Sequence, residues 1–177
     1  MKAIRIFVIT ALMLSMCSCM KSKLEVTYNN QESKIDSYIN SKGEEYRSLR
    51  NGGANRLVLK EGEGEELQKD GFVSFYYAGY TFNGSFSQSN LFATNHQQTA
   101  EQANWNLTDP EYMIYEINLG DAKLIQGLKD GLVGVRAGEE CEILFSGKYG
   151  FGNEEFGIIP ANSALLYKIW VVGVAND

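Results

Sequence analysis

The chain holds 177 residues, enough for one ordinary domain with its own core and too few for two large ones. Hydrophobic residues make up 44%, charged residues 21% and aromatic residues 12%, which excludes a disordered chain and a polytopic membrane protein. A net charge of −6 argues against affinity for nucleic acid, since each phosphate contact needs a Lys or Arg.

At the N-terminus Lys2 and Arg5 precede the nearly continuous apolar run Ile6 to Leu14. That run is too short to span a bilayer, which takes about 20 residues, and reads as an export signal. The sequence Leu14-Ser15-Met16-Cys17-Ser18-Cys19 then resembles the lipobox at which bacterial lipoproteins are cut and acylated on the new terminal cysteine. Cys19 is favoured as the lipidated residue, because Ser18 before it is small and Met16 before Cys17 is not. The alternative is an ordinary cleaved signal with incidental cysteines. On the first reading the protein is exported and lipid-anchored in a bacterial cell envelope, periplasmic or on the cell surface, and touches the membrane only through its anchor. Removing residues 1–18 takes away two basic side chains and no acid, so the net charge moves from −6 to −8.

Residues 19–55 hold few apolar anchors. Ile35, Tyr38, Ile39, Tyr46 and Leu49 recur at roughly helical spacing and Gly52-Gly53 ends the pattern, so the segment is expected to be a solvated spacer carrying a short amphipathic helix. From Arg56 to the C-terminus the pattern changes to short apolar runs punctuated by glycine. Val73, Phe75 and Tyr77 share one face of a strand, with Ser74 and Tyr76 on the other. Residues 81–113 are irregular and polar, with Pro110, and read as a long loop. After a strand over Tyr115 to Leu119, Asp121 is a candidate N-cap for a helix that places Leu124, Leu128, Leu132 and Val135 on one face. Glu140 to Phe145 and Leu165 to Val172 are further strands, separated by the glycine-rich stretch Gly147 to Gly157. The expected class is α+β, an antiparallel sheet around one short helix.

Chemical signatures are sparse. Beyond Cys17 and Cys19 the body of the chain has only Cys141, whose alternation with Ile143 and Phe145 marks a buried thiol. His96 is the single histidine, so zinc sites and histidine-based triads are not expected, and neither a metal nor a cofactor is implied. Any reaction here must proceed without a nucleophile.

Several short elements, in order, carry a resemblance: Tyr77-Ala78-Gly79, Leu119-Gly120, Leu124-Ile125-Gln126-Gly127-Leu128, Gly131-Leu132, Gly138-Glu139, Tyr149-Gly150-Phe151-Gly152, and Gly157-Ile158-Ile159-Pro160 with Leu165 and Tyr167. Over residues 56 to 174 they resemble the FK506-binding protein (FKBP) family of peptidyl-prolyl isomerases. The resemblance implies a half-barrel sheet curled around the helix, with the domain over 56–177 and an insertion at about 97–113. It also implies isomerase activity on X-Pro bonds of proline-containing, unfolded or extended segments of exported proteins, performed by a monomer. Such a reaction fits the sparse chemistry: the barrier of about 20 kcal/mol reflects amide resonance, and a dry apolar pocket favours the less charge-separated twisted amide.

The residues that the resemblance assigns to catalysis are Tyr77, Ile125, Phe151 and Tyr167, with the Ile125 backbone N–H binding a ligand carbonyl. Phe92, Tyr115, Ile117, Leu124, Leu128 and Ile159 are assigned to the substrate walls, while Leu165 and Ile169 are expected to be plain core. Two registers compete for the family's Phe-Asp element, Phe86-Ser87-Gln88-Ser89 and Phe92-Ala93-Thr94-Asn95; the second is preferred, and neither keeps the acid. Phe151 stands where the family has tyrosine, Leu128 where it often has tryptophan and Ala161 where a second proline is usual. With polar handles missing, weakened isomerase activity is expected, or else a non-catalytic module that binds peptide or protein in the envelope. The insertion, with Trp105, reads either as a lid or client surface or as a surface loop with Trp105 tucked into the body.

Overall fold

The computed structural model describes residues 2–106 and 108–176, and the side chains of 22–106, 108 and 111–176. The expected lipidation site at Cys19 therefore lies outside the described side chains. The described residues form one seven-stranded antiparallel sheet and three α-helices. The strands are β1 (Arg47–Asn51), β2 (Ala54–Lys60), β3 (Phe72–Phe82), β4 (Leu91–Thr94), β5 (Tyr115–Asn118), β6 (Glu140–Phe145) and β7 (Ala164–Ala175). Their order is β1-β2-β6-β7-β3-β4, and β5 pairs with β3 beside β4. The helices are α1 (Lys2–Ser41), α2 (Gln97–Gln102) and α3 (Gln126–Leu132).

Strand periodicity divides β3 between two cores. Val73, Phe75 and Tyr77 face inward onto α3, where Leu128, Leu132, Val135, Ile143, Phe145, Leu165 and Ile169 complete the main core. Ala78, Tyr80 and Phe82 face outward into a second cluster. Helix α3 lies close on β6 because its facing residues are Gly127 and Gly131. A Cβ on either would come within 2.2 Å of Phe145 or Ile143.

Two expectations are corrected. The segment up to residue 55 is not a solvated spacer: Ile35 and Tyr38 of α1 are 0% and 7% exposed against Tyr80, Phe82, Leu144 and Leu166. Gly43, at φ 72°, turns the chain out of α1, so Leu49 belongs to a strand and not to the helix. Strand β1 then pairs with β2 from Arg47↔Val58 to Asn51↔Ala54. The helix expected from about Ala122 starts instead at Gln126. Asn118, not Asp121, closes the preceding turn, its Oδ1 accepting from the N–H groups of Gly120 and Asp121 at 2.9 and 3.2 Å. The extended residues after that turn carry Leu124 and Ile125 to the inner face.

Candidate functional site: an aromatic cavity on the inner face

A cavity of about 560 Å³ opens at one end of the inner face, within the size range of small-molecule and peptide pockets. Strand β3 supplies Phe75 and Tyr77, β4 Phe92 and Ala93, β5 Tyr115, and β7 Tyr167; Leu124 and Ile125 come from the extended residues before α3, Leu128 from α3, and Phe151, Phe156, Gly157, Ile158 and Ile159 from the β6–β7 loop. The rings form a continuous wall. Tyr115 meets Phe75 edge-on at 5.5 Å and Phe92 meets Tyr167 edge-on at 5.7 Å, while Tyr77 bridges Tyr115 and Tyr167 at 6.2 and 6.3 Å. Gly79 makes room for this arrangement, since a Cβ there would come within 2.6 Å of the Phe92 ring.

Nine of the ten protein-domain residues expected at the site line this cavity: Tyr77, Phe92, Tyr115, Leu124, Ile125, Leu128, Phe151, Ile159 and Tyr167. Ile117 does not. The register Phe75↔Tyr115 and Val73↔Ile117 carries it two residues further along β3, into a separate groove with Phe72 and Val174. Of the two competing registers, the structure brings Phe92 to the cavity. Phe86 packs on the outer face, 5.0 Å from Tyr80 and beneath the Lys168 ammonium at 3.9 Å. Leu165 and Ile169 are core, at 0% and 1% exposure.

Sequence reasoning missed Phe75, Lys123 and Phe156. Phe156 stacks face to face on Phe151 at 4.6 Å and is 62% exposed at the rim, as is Ile158 at 75%. A lone phenylalanine after Asn153-Glu154-Glu155 was the available signal. Lys123 is the only charged residue among those lining the cavity.

Polar groups facing this apolar space are few and uncommitted. Among the described residues none hydrogen-bonds the hydroxyls of Tyr77, Tyr115 or Tyr167, and the Ile125 N–H, just before α3, has no acceptor. Burial pushes the Tyr77 and Tyr167 hydroxyls above the ordinary phenol range, with smaller contributions from Tyr115 and Tyr77 respectively, so both remain protonated donors at neutral pH. Asn95 fixes the wall from behind: its Oδ1 accepts from the Tyr77 N–H at 2.6 Å and its Nδ2 donates to the Met113 carbonyl at 3.0 Å. Part of the insertion, Ala103 and Trp105, lies against the outer face. Trp105 packs with the second cluster, and His96, just before α2, stacks on Trp170 at 3.9 Å. Cys141 is 1% exposed and burial pushes its thiol up, so it offers no nucleophile. Among the described residues no three His, Cys, Asp or Glu side chains cluster as metal ligands would.

A half-barrel sheet curled around one helix, with an aromatic cavity open at the end of its concave face, defines the class of fold. The chain belongs to the FKBP-type peptidyl-prolyl cis-trans isomerase family, whose family model matches residues 63–172. It is 23% identical over 117 residues to FK506-binding protein 1 of Aspergillus oryzae, an alignment covering 66% of this chain and 94% of that one. It is 27% identical over 120 residues to the FKBP-type peptidyl-prolyl cis-trans isomerase FkpA of Buchnera aphidicola, covering 68% of this chain and 42% of that one. Among solved structures the fold is similar to FkpA from Escherichia coli, with a TM-score of 0.56 at 18% identity over 94% of this chain and 70% of that one. It is also similar to the N-terminal domain of FKBP42 from Arabidopsis thaliana, with a TM-score of 0.54 at 21% identity over 73% and 93%.

Proposed function

We propose that this cavity isomerises X-Pro bonds in extended segments of exported proteins, at a reduced rate, from a domain anchored to the cell envelope through Cys19. The observation that carries the reading is the open aromatic cavity with unengaged donors. A prolyl ring enclosed by Tyr77, Phe92, Tyr115 and Tyr167 loses water from its amide, and loss of hydration destabilises the planar, charge-separated form more than the twisted one. The Ile125 N–H and the tyrosine hydroxyls can hold the neighbouring carbonyls and fix the pose. No proton transfer or covalent bond to the protein is needed.

The reduced rate follows from the missing handles. Ala93 and Phe151 both line the cavity without a polar group, and the Phe151 ring is taken up by stacking on Phe156. Each neutral hydrogen bond lost should weaken binding by about 0.5–1.5 kcal/mol. These same replacements favour the second reading, a non-catalytic module that holds peptide or protein in this cavity. Export and lipidation rest on Lys2, Arg5, the apolar run from Ile6 and the Ser18-Cys19 pair.

Cis/trans exchange of a short X-Pro peptide separates the two. Wild-type protein is expected to accelerate exchange, and Tyr77→Ala and Ile125→Asp are each expected to lower the rate at least about tenfold, or ~1.4 kcal/mol. A wild-type rate equal to that in buffer leaves only the binding module.

A further inference from the structure

The β6–β7 loop is the cavity wall least supported by the sheet. It leaves β6 after Phe145, returns to β7 at Ala164, and supplies Phe151, Phe156, Gly157, Ile158 and Ile159. Its two ends are in contact: a Cβ on Gly147 would come within 2.5 Å of the Asn162 carbonyl. Within the loop the Gly152 N–H donates to the Gly147 carbonyl at 3.0 Å and the Asn162 N–H to the Gly152 carbonyl at 2.6 Å. Asn162 holds a left-handed backbone, φ 59°, and its Nδ2 donates to Asn153 Oδ1 at 3.0 Å.

Helix α1, which precedes the residues matched by the family model, reaches this junction with two side chains. Gln31 takes both ends of the loop in one amide: its Oε1 accepts from the Gly147 N–H at 2.9 Å and its Nε2 donates to the Asn162 carbonyl at 2.7 Å. One turn earlier the Tyr28 hydroxyl donates to Asn162 Oδ1 at 2.7 Å. Both side chains are half-buried on the helix face that continues into Ile35 and Tyr38, so their position is set by the packing of α1 on the sheet.

We propose that Gln31, supported by Tyr28, is a positioning residue for the cavity. By fixing the Gly147–Asn162 junction it sets the spread of the loop that carries Phe151 and Ile159. An element outside the isomerase domain thereby determines how tightly that domain closes on its substrate. The inference rests on the reading of the cavity as an X-Pro site.

The test uses the full chain and a short X-Pro peptide, with peptide exchange kinetics and amide hydrogen exchange as paired readouts. Gln31→Leu is expected to raise KM about five- to tenfold with kcat within about twofold, as loss of two hydrogen bonds remote from the reacting amide should. The Gly147 amide should exchange about tenfold faster or more while amides of the β6–β7 ladder keep their protection. Gln31→Glu, which keeps the acceptor for Gly147 and loses the donor to Asn162, should fall between. Lys34→Ala on the same helix removes a bond to Asn83 only and should leave KM unchanged. Wild-type KM and wild-type Gly147 exchange in Gln31→Leu would overturn the proposal, and so would an equal rise in KM from Lys34→Ala. If the wild type does not isomerise the peptide, the catalytic reading fails by itself. Faster Gly147 exchange with weaker peptide binding in Gln31→Leu would then sustain the positioning role, and unchanged values would overturn it.

Discussion

The two faces of the sheet use the same residue types for opposite ends. On the outer face Tyr38 of α1 packs with Tyr80 and Phe82 in a closed cluster, where its hydroxyl donates to Glu142 Oε2 at 2.8 Å and Lys168 lies 3.7 Å from the same carboxylate. On the inner face Tyr77 meets Tyr115 edge-on and Tyr167 at a tilt, and the three rings line an open space with their hydroxyls unengaged. Aromatic content therefore does not mark a site. A site is marked where aromatic packing stops short of closure and leaves a ring-lined space open.

The largest expected effect tests the seal of the outer face. Ile35→Ala removes a fully buried side chain from the α1 docking surface and should cost about 2–5 kcal/mol in urea unfolding. A loss below about 1 kcal/mol would mean that α1 is not part of the cooperative fold. Tyr38→Phe should cost less, about 1–2 kcal/mol, because Glu142 loses one donor but keeps Lys168 nearby. Unlike substitution in the cavity, it should leave the peptide KM unchanged.

Phe151→Tyr tests the inner face in the opposite direction. A hydroxyl restored at the cavity should raise kcat/KM about two- to tenfold, the equivalent of one neutral hydrogen bond. No gain would show that the Phe151–Phe156 stack keeps the ring from contacting substrate.

The smallest expected effect is on pH dependence, and it comes from a buried pair beneath the inner core. Glu139 is 0% exposed, and burial raises its carboxyl above the ordinary range although Arg56 lies 3.3 Å away and opposes the shift. Between its unfolded and its raised folded pKa, this group binds more protons in the folded state than in the unfolded chain. Stability contributed by this group is present below the unfolded carboxylate pKa and declines as pH rises through the folded one. Urea midpoints should fall modestly from about pH 4.5 upward, and Glu139→Gln should flatten that slope.

How legible the molecule was in its sequence differs by element. The inward face of β3 could be read from Val73 to Tyr77, because period-two alternation is local, but its last residues, Thr81 and Phe82, were read as loop. Phe92 against Phe86 could be weighed but not decided: both are phenylalanines near a strand end, and only the pairing Gly79↔Ala93 turns one of them inward. Ile117 was misplaced because the register of β5 on β3 sets which residue reaches the cavity mouth. The start of α3 was misread because Asn118 captured the turn before Asp121 could cap a helix. Residues 19–55 were read as spacer because a half-amphipathic helix and a short polar hairpin bury too little alone to announce that they dock.

Periodicity, glycine placement and the order of short motifs are local properties carried along the chain. By themselves they determined an α+β class with an antiparallel sheet around one short helix and, through the resemblance that the motifs carry, implied a half-barrel with an aromatic pocket. Tertiary structure alone decided which rings close the pocket, where the insertion lies, and that α1 reaches around to hold the loop through Gln31. The last of these joins residues more than a hundred positions apart, and no local pattern encodes the three-dimensional meeting of Gln31 with Gly147 and Asn162.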